Sequence, residues 1–449
     1  MAQPLTSGPI APRLLKLTLP MVWGVFAIVA FNLADTYYVG QLGTEQLAAM
    51  SFTFPVVMTL GSLAFGLGVG TSSIIARAIG QGDPSRVQRF TTNSLTLGIT
   101  AVALLSGMGL LTIDPLFRAL GAGPDVLPYV REYMQIWYFG MVFLVVPMIG
   151  NSAIRASGDT GTPSLIMTIS AGFNILLDPL LIFGLLGFPE MGLTGAAWAT
   201  VIARAVTLVA ALLVLKFKAH MISSHFPDVQ ETLWCWRDIL YVGLPAAGTS
   251  MINPISIGVI TSLLAVHGAT AVAGFGVASR VESFAMIVLM ALSASIGPFV
   301  GQNWGAEKFD RVRQSLQLSF GFCLLWGLLT AAVLALMGQW IAPLFNGDEA
   351  VVAIATRYLY IVPLSYGTAG IIQVTSSALN ALGRPLPAVV MTVLRMFVLY
   401  IPLAYLGSLW LGPLGIFLAA TVSNLVVGAG AYWWSRRTCF GKPALAEAS

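Results

Sequence analysis

Leu95–Leu111 reads LTLGITAVALLSGMGLL, seventeen residues without a charge and apolar on every face of a helix. A barrel strand would instead alternate polarity over about 10 residues. Leu324–Met337 has the same all-round character. A helix of about 20 such residues crosses a bilayer, so these stretches read as membrane helices. Outward from them the whole chain agrees: of 449 residues 57% are hydrophobic and 9% charged, with mean hydropathy +0.85. A soluble domain carries about 25% charged residues, so a soluble globular protein is excluded. Disorder, a collagen-like repeat and a nucleic-acid-binding domain fall with it, since they need high net charge, strict Gly periodicity or clustered Lys/Arg.

The 46 glycines and 24 prolines suit membrane helices, which tolerate both and use Gly where backbones approach closely. Gly, Pro and charge boundaries predict twelve spans, at 14–39, 48–76, 91–113, 129–154, 160–186, 193–217, 238–266, 271–300, 314–337, 354–380, 385–410 and 413–435. The first run follows Arg13 and Lys16 and continues to full spanning length, so it is expected to remain as helix 1 rather than act as a cleaved signal. Cys235, Cys323 and Cys439 are too scattered for a disulfide framework or a Cys-rich metal site. Of the 22 Lys and Arg, Arg204, Arg280 and Arg395 lie deep inside spans and Arg118, Arg131 and Arg357 fall on one side. The other sixteen share the opposite side with both termini. The positive-inside bias makes that side cytoplasmic, so a multi-pass protein of the plasma (inner) membrane with both termini cytoplasmic is expected.

Comparing the halves shows an offset near 225. It relates Leu19-Pro20 to Leu244-Pro245, Gly43 to Gly268, Ala48 to Ala273, Arg86-Val87 to Arg311-Val312, and Ser152-Ala153 with Gly158 to Ser377-Ala378 with Gly383. Toward the end it drifts to about 220, where Gly192-Leu-Thr-Gly195 meets Gly412-Pro-Leu-Gly415. Two six-helix halves follow: 1–217 as an amino lobe, 218–237 as a cytoplasmic loop and 238–449 as a carboxyl lobe with a short tail. With an even number of spans per half, the repeat axis lies along the membrane normal, and transporters often bind substrate where such repeats meet. A purely structural duplication is the alternative.

Of the 18 acidic residues, Asp35, Asp178 and Glu282 sit inside spans, where a central carboxylate costs about 2.5–3.5 kcal/mol on the insertion scale. Each needs a buried partner or a function. Asp35 lies about 7.5 Å and Asp178 about 12 Å from the outer helix ends at 1.5 Å per residue, and Thr200 lies at a similar level. Asn174 precedes Asp178 by four residues and shares its helix face. The ring of Pro179 opposes the Ile175 carbonyl and removes one intrahelical bond. This set of oxygens at one level suits a hard cation. A desolvated carboxylate pair equally suits a proton, because burial and mutual repulsion favour the neutral acid. The sequence does not choose between Na⁺ and H⁺. At the repeat offset Asp35 meets Ile260 and Asp178 meets Pro402, so the ionisable set belongs to the first half alone. Arg280 and Glu282, two apart on one helix, must find different partners. A structural pair across helices and a substrate contact both remain open for them. His220 and His225 sit in the inter-lobe loop in a solvated role. No nucleophile–base pair, phosphate-binding loop or HExxH-type motif is present, so an enzyme is not expected.

At this point the chain resembles the multidrug and toxic compound extrusion (MATE) family. The resemblance rests on Leu19-Pro20 with Asn32-Leu-Ala-Asp35, Arg155-Ala-Ser-Gly158-Asp159-Thr160, Asn174-Ile-Leu-Leu-Asp178-Pro179 and Gly195-Ala-Ala-Trp-Ala-Thr200, and covers nearly the whole chain. It implies an all-α polytopic membrane protein with twelve helices in two pseudo-symmetric six-helix lobes, forming a V around a cavity that opens alternately to each side. It also implies an amino-lobe cation site at Asp35, Asn174, Asp178 and Thr200, with the backbone of Ala196 as a further ligand, and a bending role for Pro20. The carboxyl-lobe acids of NorM-like members are absent: the helix-7 position is Asn253, and Gly370–Gln373 holds no carboxylate, which points to the DinF-like branch. Phe31 replaces a tyrosine often found one turn before the helix-1 aspartate.

The function implied is a secondary active antiporter exporting amphipathic, often cationic drugs in exchange for H⁺ or Na⁺. Asn32, Asn253, Arg280 and Glu282 are cavity or structural polar candidates. No cofactor and no nucleic-acid partner is expected, only drug substrates and membrane lipid, with the chain acting as a monomer. A flippase for lipid-linked oligosaccharide or peptidoglycan precursors is the alternative, although its anionic cargo would favour a cavity richer in Arg and Lys than the dispersed Arg204, Arg280 and Arg395 provide. A channel or an intramembrane enzyme is remote: a channel would repeat its filter or ring of charges, and an enzyme would need convergent reactive groups.

Overall fold

The apolar runs fold as twelve helices long and apolar enough to cross a membrane in the computed structural model, which describes residues 5–42, 44–223 and 228–438. Gly43, His225, Cys439 and the ends 1–4 and 439–449 lie outside the described residues, as does the side chain of Ala48. The helices are α1 (Ile10–Gly40), α2 (Ala49–Gln81), α3 (Pro84–Ala119), α4 (Leu127–Ala156), α5 (Gly161–Phe183), α6 (Gly192–Lys218), α7 (Val229–Ala265), α8 (Ala269–Gly305), α9 (Phe309–Leu344), α10 (Glu349–Ala381), α11 (Pro385–Leu411) and α12 (Pro413–Thr438). Among the described residues there is no strand. The protein is an all-α, multi-pass membrane protein.

Several helices outrun their apolar stretch because polar ends are locally satisfied. α3 starts at Pro84, ahead of the expected 91: the Asp83 carboxylate accepts from the Arg86 backbone N–H at 2.9 Å and Pro84 occupies the first helical turn, both standard start signals. α7 starts at Val229 rather than 238. Its added turns are amphipathic and dock on α3: the Trp236 indole donates to the Asn93 carbonyl at 3.0 Å, and Glu231 pairs with Arg89 at 3.1 Å. Apolar counting misses such a segment because half of its face is polar.

The described chain packs as two compact units. The first comprises Trp23–Ala247, and the second Leu5–Val22 with the chain from Gly248 onward. The divisions fall inside α1 and α7, two residues after Pro20 and two after Pro245, positions again 225 apart. Each unit has its own core. Ile75, Phe90, Ile149 and Ile154 are fully enclosed in the first, and Phe299, Leu316, Cys323 and Phe417 in the second. Cys235 and Cys323 are buried free thiols.

In the first unit α2 and α7 meet through glycine. A Cβ on Gly66 would overlap the Gly243 carbonyl, and one on Gly70 the carbonyl of Ile239, the close approach that small residues permit between membrane helices. In the second unit the segment before α1 is strapped down. The Leu5 N–H donates to Gln302 at 2.9 Å, the Lys308 ammonium to the Thr6 carbonyl at 2.9 Å, and the Arg311 guanidinium to the Gly8 carbonyl at 2.8 Å.

Candidate coupling site in the first unit

Three helices converge on the acidic set because small residues let them approach. A Cβ on Gly195 of α6 would overlap the Leu181 carbonyl of α5, and the Ser170 hydroxyl of α5 donates to the Ala203 carbonyl of α6 at 3.1 Å. Between these two contacts of an antiparallel pair, Thr200 falls opposite Asn174. On the other flank α1 meets α5 where Gly24 faces Ser164, and a Cβ on Gly24 would stand 3.2 Å from the Ser164 Cα. α1 and α5 run in the same sense from that contact. Asp35 is eleven residues beyond Gly24 and Asn174 ten beyond Ser164, about 15–17 Å along each axis at 1.5 Å per residue. The register therefore brings Asp35 level with Asn174, with Asp178 one turn further out.

The Asn174 amide, with its amino group toward the carboxylate, donates to Asp178 Oδ2 at 2.8 Å, and its oxygen accepts from the Thr200 backbone N–H at 3.1 Å and hydroxyl at 3.2 Å. This orientation satisfies both neighbours, whereas the reverse would face the amide oxygen to an anion. Asp178 is fully buried and Asn174 is 2% exposed, while Asp35 is half-buried. The second carboxylate oxygen of Asp178, Oδ1, is buried with no partner. Asp35 and Asp178 lie close enough for each charge to act on the other. Among the described residues neither is in an ion pair, unlike Asp114 with Arg131 and Asp159 with Lys218.

Asp35, Asn174, Asp178 and Thr200 are thus brought together, and Ala196, 3% exposed, lies one turn from Thr200 on α6. Sequence reading left two residues out of this set: Arg204, whose charge acts on Asp35, and Tyr133, on which the charges of Asp35 and Asp178 act. Arg204 follows Thr200 by four residues and shares its face, a signal that was available. Tyr133 offered none. Asn32 is exposed on α1, Pro20 lies in the part of α1 belonging to the second unit, and Arg280 is exposed on α8. Glu282 accepts from the Tyr358 hydroxyl across helices, and Asn253 accepts from Arg395 at 3.5 Å.

The base of α5 is held separately. Asp159 accepts from the Thr162 backbone N–H at 2.9 Å and the Thr162 hydroxyl at 2.6 Å, and pairs with Lys218 at the end of α6 at 2.9 Å. Burial disfavours its charge, and the bonds from Lys218 and Thr162 outweigh that, holding the carboxyl below its ordinary range.

Chemically, two carboxylates, one of them with an orphaned buried oxygen, suit a hard monovalent cation or a proton. Among the described residues no cluster of three or more His, Cys, Asp or Glu accompanies them. Twelve apolar helices in duplicated halves, with this enclosed acidic set in one half, define a polytopic membrane protein of the transporter class. The MatE family model matches residues 20–180 and again 245–406, once in each half. The chain belongs to the MATE family of transporters. It is similar to a FAD transporter of Shewanella oneidensis, 40% identical over 435 residues that cover 97% of this chain and 96% of the relative. The multidrug export protein MepA of Staphylococcus aureus is 25% identical over 420 residues, covering 93% and 91%. Among solved structures, the D35N mutant of the Vibrio cholerae MATE transporter VcmN superposes with a TM-score of 0.92 at 30% identity, over 97% of this chain and 98% of that one.

Proposed function

We propose that the protein exports a flavin nucleotide of the FAD class in exchange for a monovalent cation, H⁺ or Na⁺, held between Asp35, Asn174, Asp178 and Thr200. The observation that carries the coupling is the buried Asp178 oxygen without a donor, which a proton or a metal cation would satisfy. The cargo reading is supported by the 40% identity to a FAD transporter, against 25% to a multidrug exporter. Binding a cation there changes the charge enclosed between three helices, and an ion shifts a conformational equilibrium by its differential affinity for the two states. The chain works as a monomer without a bound cofactor in the cytoplasmic membrane, both termini inside, as the distribution of Lys and Arg supports.

Export of amphipathic cationic drugs is the second reading, favoured by the multidrug relatives and by the two carboxylates of Asp35 and Asp178 within the first unit's spans. Reconstituted vesicles with pH and Na⁺ gradients imposed separately, loaded in turn with FAD and with a cationic dye, decide cargo and ion together. FAD movement driven by one gradient is expected. Asp178→Asn and Asp35→Asn are each expected to lower gradient-driven transport at least tenfold. Undiminished transport in both variants would remove the coupling site, and dye movement without FAD movement would replace the cargo.

A further inference from the structure

The second unit keeps an arginine in its interior without giving it a counter-ion. Arg395 lies ten residues into α11, about 15 Å along the axis, near the middle of a hydrocarbon layer about 30 Å thick. The carboxylate of Glu282 on α8 lies within electrostatic reach of it. Opposite charges this deep are expected to pair, because a lone buried charge is costly. Here the pair is not made: among the described residues no ion pair joins them, and Glu282 is taken by the Tyr358 hydroxyl of α10. The guanidinium reaches only the Asn253 side-chain oxygen of α7, through Nη2 at the outer limit of 3.5 Å, and its Nε is buried without a partner.

Three further observations say this is a place for a ligand. Arg395 sits in a π-helical stretch, Leu394–Tyr400, a feature frequent at functional sites. Asn253 is exposed and Arg395 half-buried, so the guanidinium approaches the surface of the second unit through Nη2, with the unpartnered Nε enclosed behind it. Nε and Nη2 form the edge of a planar fork that matches two oxygens of a phosphoryl group, and an intramembrane ionisable group is a functional one by default.

We propose that Arg395, assisted by Asn253, is a phosphoryl-binding subsite of the second unit. Its expected occupant is the diphosphate of a flavin nucleotide, an identity that rests on the cargo proposed above; the subsite itself does not depend on it. In that case charge recognition of the cargo and cation binding belong to different units.

The test titrates purified protein with FAD, with riboflavin, which carries the ring without phosphate, and with inorganic pyrophosphate, following tryptophan fluorescence. Wild type is expected to bind FAD at least tenfold more tightly than riboflavin, with pyrophosphate competing. Arg395→Gln is expected to bind riboflavin as wild type does and to lose both the preference and the competition, and Arg395→Lys to recover part of each. Arg395→Gln that keeps the preference and binds pyrophosphate overturns the proposal, as does equal weakening of FAD and riboflavin. Pyrophosphate binding that depends on Arg395 without any flavin binding supports the subsite and overturns the flavin cargo. Repeating the titration in phosphatidylcholine vesicles with and without phosphatidylglycerol separates the sources. Displacement of pyrophosphate by the anionic lipid in wild type, absent in Arg395→Gln, supports the subsite and assigns its phosphoryl group to a lipid headgroup.

Discussion

Asn174 joins two helices through one amide, bonding Asp178 on its own helix and Thr200 on the next. Its two sides differ in kind: the amino group stabilises a carboxylate, while the oxygen is occupied by a backbone N–H and a hydroxyl. Thr200→Val removes the hydroxyl and leaves the backbone bond. A neutral hydrogen bond contributes about 1 kcal/mol, so the variant is expected to melt slightly below wild type and, with Asn174 less firmly held, to bind its coupling ion up to roughly fivefold more weakly. The ion concentration for half-maximal transport measures it, and an unchanged value would detach Thr200 from the site. Asp35, Asn174, Asp178 and Thr200 were legible in the sequence because charge inside an apolar run has few innocent explanations. Arg204 was not, because its charge was weighed with the dispersed arginines rather than with Thr200 one turn away. Tyr358 escaped for a plainer reason: an uncharged partner of Glu282 leaves no trace in a count of charges.

The pair α5–α6 sets the register of the site, and Gly195 sets the pair. Gly195→Val would drive two branched methyls toward the Leu181 carbonyl. Ordinary overpacking costs about 1–3 kcal/mol, and a clash with backbone is relieved only by moving a helix. The expected result is a lower melting temperature in detergent together with loss of ion-dependent transport, whereas Gly172→Ala on α5, with open space around it, changes neither. At the other end of the same pair, where α5 begins and α6 ends, Lys218→Ala removes the bridge to Asp159. The pair is partly exposed, at 63% and 22%, so the cost is expected to stay below about 1 kcal/mol. Because the Asp159 carboxyl titrates below its ordinary range when folded, the stabilisation is complete above that range and fades as pH falls through the lowered value. Melting curves of wild type and Lys218→Ala are therefore expected to differ at neutral pH and converge in acid. Helix existence was readable throughout, since apolar length alone demands it. Helix ends were not, because the extra turns of α3 and α7 are held by Asp83, Trp236 and Glu231, side chains that resemble loop residues in a hydropathy count.

At the scale of the molecule the duplication was legible because paired residues such as Pro20 and Pro245 recur at a constant offset. The unit divisions inside α1 and α7 were not, because an apolar helix looks the same on either side of them. The cores share no residue. Ile149→Ala in the first and Leu316→Ala in the second are each expected to destabilise by about 2–5 kcal/mol, and to add within about 0.5 kcal/mol when combined. A double variant far from the sum would show that the two cores are energetically coupled. The strap before α1 carries a consequence for biosynthesis. Leu5, Thr6 and Gly8 find their partners at Gln302, Lys308 and Arg311, roughly 300 residues later in the chain. A ribosome has therefore delivered two thirds of the polypeptide before the first residues can be tied down. Until then the opening turns of α1 must wait in the bilayer without their final neighbours, and any chain cut short before α9 keeps that end loose for quality-control proteases to seize.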